Sequence, residues 1–118
     1  MGDIRRIAAT PRMSGAVVHA SIAYLSGQVA IDHRGGAVAD QVDEVLARID
    51  ALLEEAGSDR SRLLTATILL SDMSVMTALN AAWDQWIVPG CAPTRTSIQT
   101  VLASPDYALE IVVTAAAD

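Results

Sequence analysis

Apolar residues recur at Val42, Val45, Leu46, Ile49, Leu52, Leu53 and Ala56. This is the three-and-four spacing of one helical face, and it predicts a helix over Val38–Ala56. Glu44 and Arg48 stand at i and i+4 in the favourable order, and Gly57 sits where a C-terminal cap belongs. Elsewhere the runs are shorter and richer in β-branched residues. Val17-Val18-His19-Ala20 and Ile22-Ala23-Tyr24-Leu25 read as two strands joined tightly, followed by Ser26-Gly27-Gln28 and Val29-Ala30-Ile31. The Asp32–Gly36 segment, with its Gly35-Gly36 pair, reads as a turn. Leu63–Leu70 reads as a buried strand, with Thr65, Thr67 and Ile68 favouring extended backbone. Ser71, Asp72 and Ser74 are candidate N-caps for a second helix from Met76 to Trp86, with Leu79, Trp83 and Trp86 or Ile87 along one side. Pro89-Gly90 ends that helix. A strand at Thr94–Leu102, a turn at Ser104-Pro105-Asp106 and a last strand at Ala108–Ala116 follow.

The order strands, helix, strand, helix, strand, strand predicts the α+β class, two helices packed on one face of a mixed sheet. In the last strand Leu109, Ile111 and Val113 alternate with Ala108, Val112 and Thr114, so both faces are largely apolar. The sheet's second face therefore calls for cover. The length of 118 residues fits one domain over residues 1–118. Hydrophobic residues make up 52% of the chain, with two Trp, two Tyr and no Phe, so the core is expected from Ala, Val, Ile and Leu. So much apolar content in so small a domain adds to the expectation of an oligomer.

Charge removes several classes of function. The net charge is −6, and the eight basic residues are scattered arginines, with only Arg5-Arg6 adjacent and Arg60 and Arg62 close together. Phosphate backbones require a basic stripe that is missing here, so neither nucleic acid nor an anionic membrane surface is an expected partner. The single Cys91 precludes an internal disulfide. No apolar run approaches the ~20 residues of a membrane span, and Met-Gly-Asp-Ile-Arg-Arg does not resemble a signal peptide, so a cytoplasmic location is expected. His19, His33 and Cys91 are too few and too dispersed for a metal site. Ser26-Gly27-Gln28 lacks the glycine pattern of a nucleophile elbow, and no phosphate-cradling glycine loop occurs.

Two charges set in strands remain to be explained. Arg95 lies in Pro93-Thr94-Arg95-Thr96-Ser97-Ile98, and Glu110 lies in Ala108-Leu109-Glu110-Ile111-Val112-Val113. An unpaired buried charge is costly, so each needs a partner. The planar fork of arginine suits a carboxylate, from a side chain or from a ligand. A salt bridge between the two, within the chain or across an interface, and a ligand site are both open on this pattern.

Around these residues the chain resembles the RidA/YjgF family of reactive-intermediate (enamine/imine) deaminases over nearly its whole length. The matching stretches are Ser26-Gly27-Gln28-Val29, Asp40-Gln41, Ala56-Gly57 with Leu70-Ser71-Asp72, Leu79-Asn80-Ala81-Ala82-Trp83, Pro93-Thr94-Arg95-Thr96 and Leu109-Glu110-Ile111. Each is weak alone; together, in order and in register, they are specific. Trp83-Asp84-Gln85-Trp86 resembles a divergent branch of that family.

The resemblance implies a chorismate-mutase-like α+β fold and a homotrimer whose sheets form a barrel, with clefts between neighbouring subunits. It implies hydrolysis of 2-imino or enamine acids to 2-oxo acids and ammonia, without metal or organic cofactor. Arg95 would hold the substrate carboxylate, Glu110 would hold or activate water, and Ser26, Asn80 and Ser97 would line the cleft. Met13 stands near a position where the family often has an aromatic, and Ser97 where it has a cysteine. Those departures leave a second reading open, a trimeric protein that binds a 2-oxo-acid-like molecule without turning it over. His19 reads as a strand residue with a satisfied ring rather than a base, Trp83 and Trp86 as helix-packing residues, and Cys91 as a loop residue.

Overall fold

The structure is a computed structural model and describes residues 2–118. The predicted helix, α1, spans Val38–Glu55 and buries Val42, Val45, Leu46, Ile49 and Leu53. Each such side chain contributes about 1.5–3 kcal/mol when fully removed from water. The helix closes on Gly57 (φ 79°): the Gly57 N–H donates to the Glu54 carbonyl and the Ser58 N–H to that of Leu53. That double bond pattern is the Schellman motif, and its left-handed residue explains the glycine.

Six strands form one sheet: β1 (Arg5–Ile7), β2 (Ala16–His19), β3 (Ile22–Leu25), β4 (Leu63–Leu70), β5 (Thr94–Gln99) and β6 (Leu109–Ala116), in the order β1-β2-β3-β6-β4-β5. All neighbours are antiparallel except β4 and β5. Parallel strands need a crossover, and the second helix, α2 (Met76–Trp86), supplies it between β4 and β5. A 3-10 turn at Met73–Val75 leads into α2, with Asp72 accepting from the Ser74 N–H at 2.8 Å. The β2–β3 hairpin turns on Ala20 and Ser21, both at positive φ (51° and 64°), the type I′ geometry that matches sheet twist.

Both helices cover one face of the sheet. On β6 that face buries Leu109, Ile111, Val113 and Ala115, while Glu110, Val112, Thr114 and Ala116 look the other way and are half-buried. The second face is more polar than the sequence suggests. Beside Val112, Leu69 and Ile98 it carries a threonine cluster, with Thr65 and Thr114 hydroxyls 2.6 Å apart. Ile98 and Tyr24 lie about half exposed on it.

β2 and the end of α1 shift by one residue from those expected, and three further differences have a physical reason. β1 was not foreseen, because Arg5-Arg6-Ile7 has no alternation of its own; pairing with β2 creates it. The strand at Thr94 stops at Gln99 rather than Leu102, since its only neighbour ends at Leu70, and Val101 then turns out into solvent at 94% exposure. Ala108 lies outside β6, and its N–H goes to a side chain, Gln41.

Candidate functional site

Arg95 sits on β5, the edge strand, opposite Ala66 of β4, and projects toward the helices. Its Nη2 donates to Asn80 Oδ1 at 2.8 Å and touches Met76 Sδ at 3.5 Å, and its guanidinium lies 5.5 Å from the centre of the Trp83 ring. Met76, Asn80 and Trp83 share one stripe of α2, so a single helix face builds the whole cradle. The amide and thioether acceptors are neutral. Among the described residues Arg95 forms no ion pair, and it stays exposed.

Glu110 faces the other side. It pairs in register with Leu69, three residues along β4 from the Ala66 that pairs with Arg95. An odd offset puts the two side chains on opposite sheet faces. Three residues of rise and two strand spacings also separate their backbones by roughly 10 Å in each direction. The intrachain salt bridge left open by the sequence is therefore not made.

Glu110 has its own surroundings. Its carboxylate lies over Gly27, in the segment after β3. That segment is anchored by Gln28, whose N–H donates to the Ile111 carbonyl at 2.9 Å and whose carbonyl accepts from the Ile111 N–H at 3.1 Å. Ser26 Oγ donates to the Gly15 carbonyl at 3.2 Å and receives Gln28 Nε2 at 3.2 Å. The sequence-selected residues thus form two half-sites. Arg95 and Asn80 make one, with Ser97 next along the same face of β5; Glu110 beside Ser26-Gly27-Gln28 makes the other.

Gln41 carries a role that the sequence reading did not assign. It is 2% exposed, donates to the carbonyls of Gly36 and Asp106, and accepts from the Ala108 N–H at 2.8 Å. It fixes the entry of β6 and with it the position of Glu110. Only a polar residue on the buried stripe of α1 hinted at this. Met13 is half exposed on a turn closed by the Thr10 hydroxyl, and Cys91 lies in the loop before β5.

A second cluster ties the 32–36 turn to α1. Glu44 accepts from the Asp32 and His33 N–H groups, from Arg48 Nε at 2.6 Å, and bonds His33 Nδ1 at 2.7 Å. Burial pushes the Glu44 carboxyl up, but the bonds from His33, Asp32 and Arg48 outweigh it and hold it at about 2. The same bond to Glu44 raises His33 above its usual value.

Residues 3–117 match the family model described as Endoribonuclease L-PSP. A RutC family protein of Haemophilus ducreyi is 42% identical over 113 residues, covering 96% of each chain. The chain belongs to the RidA/YjgF family. A YjgF family structure from Neisseria meningitidis superposes on this RidA/YjgF chain with a TM-score of 0.93 at 39% identity, over 98% of this chain and 96% of that one. The human 2-iminobutanoate/2-iminopropanoate deaminase is 27% identical over 120 residues, 92% of this chain and 87% of its own. Among the described residues no helix is long and apolar enough to cross a membrane, and no group of metal-ligating side chains occurs.

Proposed function

We propose that this RidA/YjgF chain hydrolyses 2-imino acids to 2-oxo acids and ammonia in a cleft between subunits of a homotrimer. The observation that carries the reading is the Arg95 cradle: a guanidinium oriented by an amide, a thioether and an indole face, with no carboxylate among the described residues to neutralise it. Such a fork suits the carboxylate of a small substrate. The human deaminase among the relatives supports the reaction class.

In the reaction, Arg95 grips the substrate carboxylate and orients the adjoining C=N carbon. Glu110 accepts a proton from water as the C–O bond forms and returns it to nitrogen as the C=N pair moves there, giving a carbinolamine; it then carries the hydroxyl proton to nitrogen as the C=O forms, the C–N bond breaks and ammonia leaves. Because the half-sites lie on opposite faces, Arg95 of one subunit serves Glu110 of its neighbour. The half-exposed Ile98 on β5 and the outturned Val101 just beyond it offer apolar surface to such a contact. A ribonuclease reading of the family description lacks the basic surface that a phosphate backbone requires.

The test generates 2-iminopropanoate enzymatically and follows its loss by semicarbazide trapping. Wild type accelerates the loss, whereas Arg95→Ala does not and Glu110→Gln keeps only a residual rate, lower by roughly 10²-fold or more. When the two variants are unfolded and reassembled together in equal amounts, random mixing returns about a quarter of the intact clefts, each needing one particular subunit on either side. Wild type no faster than Arg95→Ala refutes the assignment. A second reading, binding without turnover, is favoured by Ser97 and Met13 at two positions where the family differs; calorimetric binding of a 2-oxo acid with no deamination would select it.

A further inference from the structure

Glycine at position 27 has no conformational cause. Its φ lies outside the left-handed range, unlike Gly35, Gly57 and Gly90, so an L residue could adopt the same backbone. The reason lies in what passes over it. A Cβ built on Gly27 falls against the Glu110 side chain, 2.7 Å from the carboxyl carbon and 3.0 Å from Cγ, with Oε2 nearer still. The backbone on either side cannot retreat. Ser26 is held through N–H and hydroxyl to Gly15, and Gln28 by the reciprocal pair with Ile111. Gln28 Nε2 further ties the Ser26 carbonyl at 3.1 Å. The mobile party is the Glu110 side chain, whose far end is flexible.

We infer that Gly27 is a positioning residue that seats the Glu110 carboxylate: its missing side chain is the recess in which that carboxylate lies. This deepens the deaminase reading and rests on it for the chemical consequence, while the seating itself does not depend on turnover. The cost of a methyl group here falls on carboxylate placement rather than on the fold, because a long side chain can swing away without disturbing the core. Gly27→Ala should therefore fold normally and fail in the proton-transfer step. The Arg95 half-site is untouched, so affinity for the substrate carboxylate should persist.

Three measurements on the intact protein decide it. In the imine assay Gly27→Ala is expected to lower kcat by roughly 10²-fold, the lower end for loss of a positioned acid–base group, with KM within about twofold. In a Glu110→Gln background the same substitution should change kcat by less than about twofold, because both act through one carboxylate. Losses that multiply, or a KM effect that equals the kcat effect, overturn the inference. A crystal structure of Gly27→Ala should show Glu110 in a different rotamer; Glu110 unmoved overturns the inference whether or not wild type hydrolyses imines. Wild type inactive with Glu110 displaced by the substitution sinks the deaminase reading and leaves the seating intact.

Discussion

Replacing Gln41 by Leu exposes how much of the strand register near the candidate site depends on one side chain. Gln41 makes three hydrogen bonds from a 2% exposed position on α1, to Gly36, Asp106 and Ala108. Their loss is unequal. The Asp106 carbonyl keeps the Gly35 N–H as a donor at 2.9 Å, and the Gly36 carbonyl lies in an exposed turn that water reaches. The Ala108 N–H belongs to a residue 8% exposed and is left without an acceptor. An orphaned buried donor costs about 1–3 kcal/mol, and the two weakened acceptors add roughly 1 kcal/mol, so the expected loss is about 2–4 kcal/mol. In a domain of this size that lowers Tm by roughly 10 °C or more. Urea denaturation should show a reduced midpoint with unchanged slope. Gln41→Glu keeps the acceptor for Ala108 but sets a charged oxygen against two carbonyls. Its defect should be present above the unfolded glutamate value of about 4.3 and relieved as pH falls and the carboxyl becomes a donor. A loss below about 1 kcal/mol for Gln41→Leu would mean that Ala108 finds another acceptor, and would refute the bracing role.

Two other outcomes follow from the geometry. Asn80→Ala removes the acceptor that orients Arg95 and should weaken binding of a 2-oxo acid by about five- to tenfold, equivalent to a hydrogen bond of about 1–1.4 kcal/mol, with calorimetry as the measure; unchanged affinity would show that Trp83 and Met76 suffice. At the α1 cluster, Glu44 is held at about 2, so its stabilisation is present above the unfolded value of 4.5 and lost as pH falls toward 2. His33 is raised, so its share is full below 6.5 and fades as pH rises through the raised value. Denaturation of His33→Ala should therefore show a larger loss at about pH 5.5 than at about pH 9; equal losses would refute the coupling.

The helices and central strands were legible because each carries its own period. The stripe from Val42 to Ala56 needs no partner to be recognised, and Gly57 marks its end through a backbone rule. β1 was not legible, since Arg5-Arg6-Ile7 becomes a strand only by pairing with Ala16–Val18. The end of β5 depended likewise on where β4 stops. Site residues divide in the same way. Arg95 and Glu110 stood out as charges in strands, but what surrounds them is tertiary. The Asn80–Arg95 bond spans 15 positions, and Gln41 reaches Ala108 across 67. Gly27 could be read only as part of a motif, because the Glu110 carboxylate that explains it lies on another strand.

The register of β4 dictates how the candidate chemistry can be assembled. Side chains alternate along a strand, so Ala66 and Leu69, three apart, point their flanking partners Arg95 and Glu110 to opposite faces. A one-residue slip in the β4–β6 ladder would reverse the facing of Glu110, but it would also turn Ile68 or Ile111 out of the core. Both are fully buried, and exposing either costs about 1.5–3 kcal/mol for each side chain moved. The facing of Glu110 is thus fixed by the hydrophobic core, while that of Arg95 follows from the β4–β5 register and its contacts with α2. Bringing a substrate held by Arg95 to the Glu110 carboxylate then requires a second sheet whose open face meets the first one's β5 edge. An edge strand with exposed Thr94, Thr96 and Ile98 is the element available to make that contact. The threonine-rich second face is suited to meet it, because hydroxyls and short branched side chains can pack closely and still satisfy one another, as Thr65 and Thr114 do. On the proposed reading the oligomer would be part of the catalyst, because the sheet register that sets Arg95 and Glu110 on opposite faces keeps one chain from completing the site.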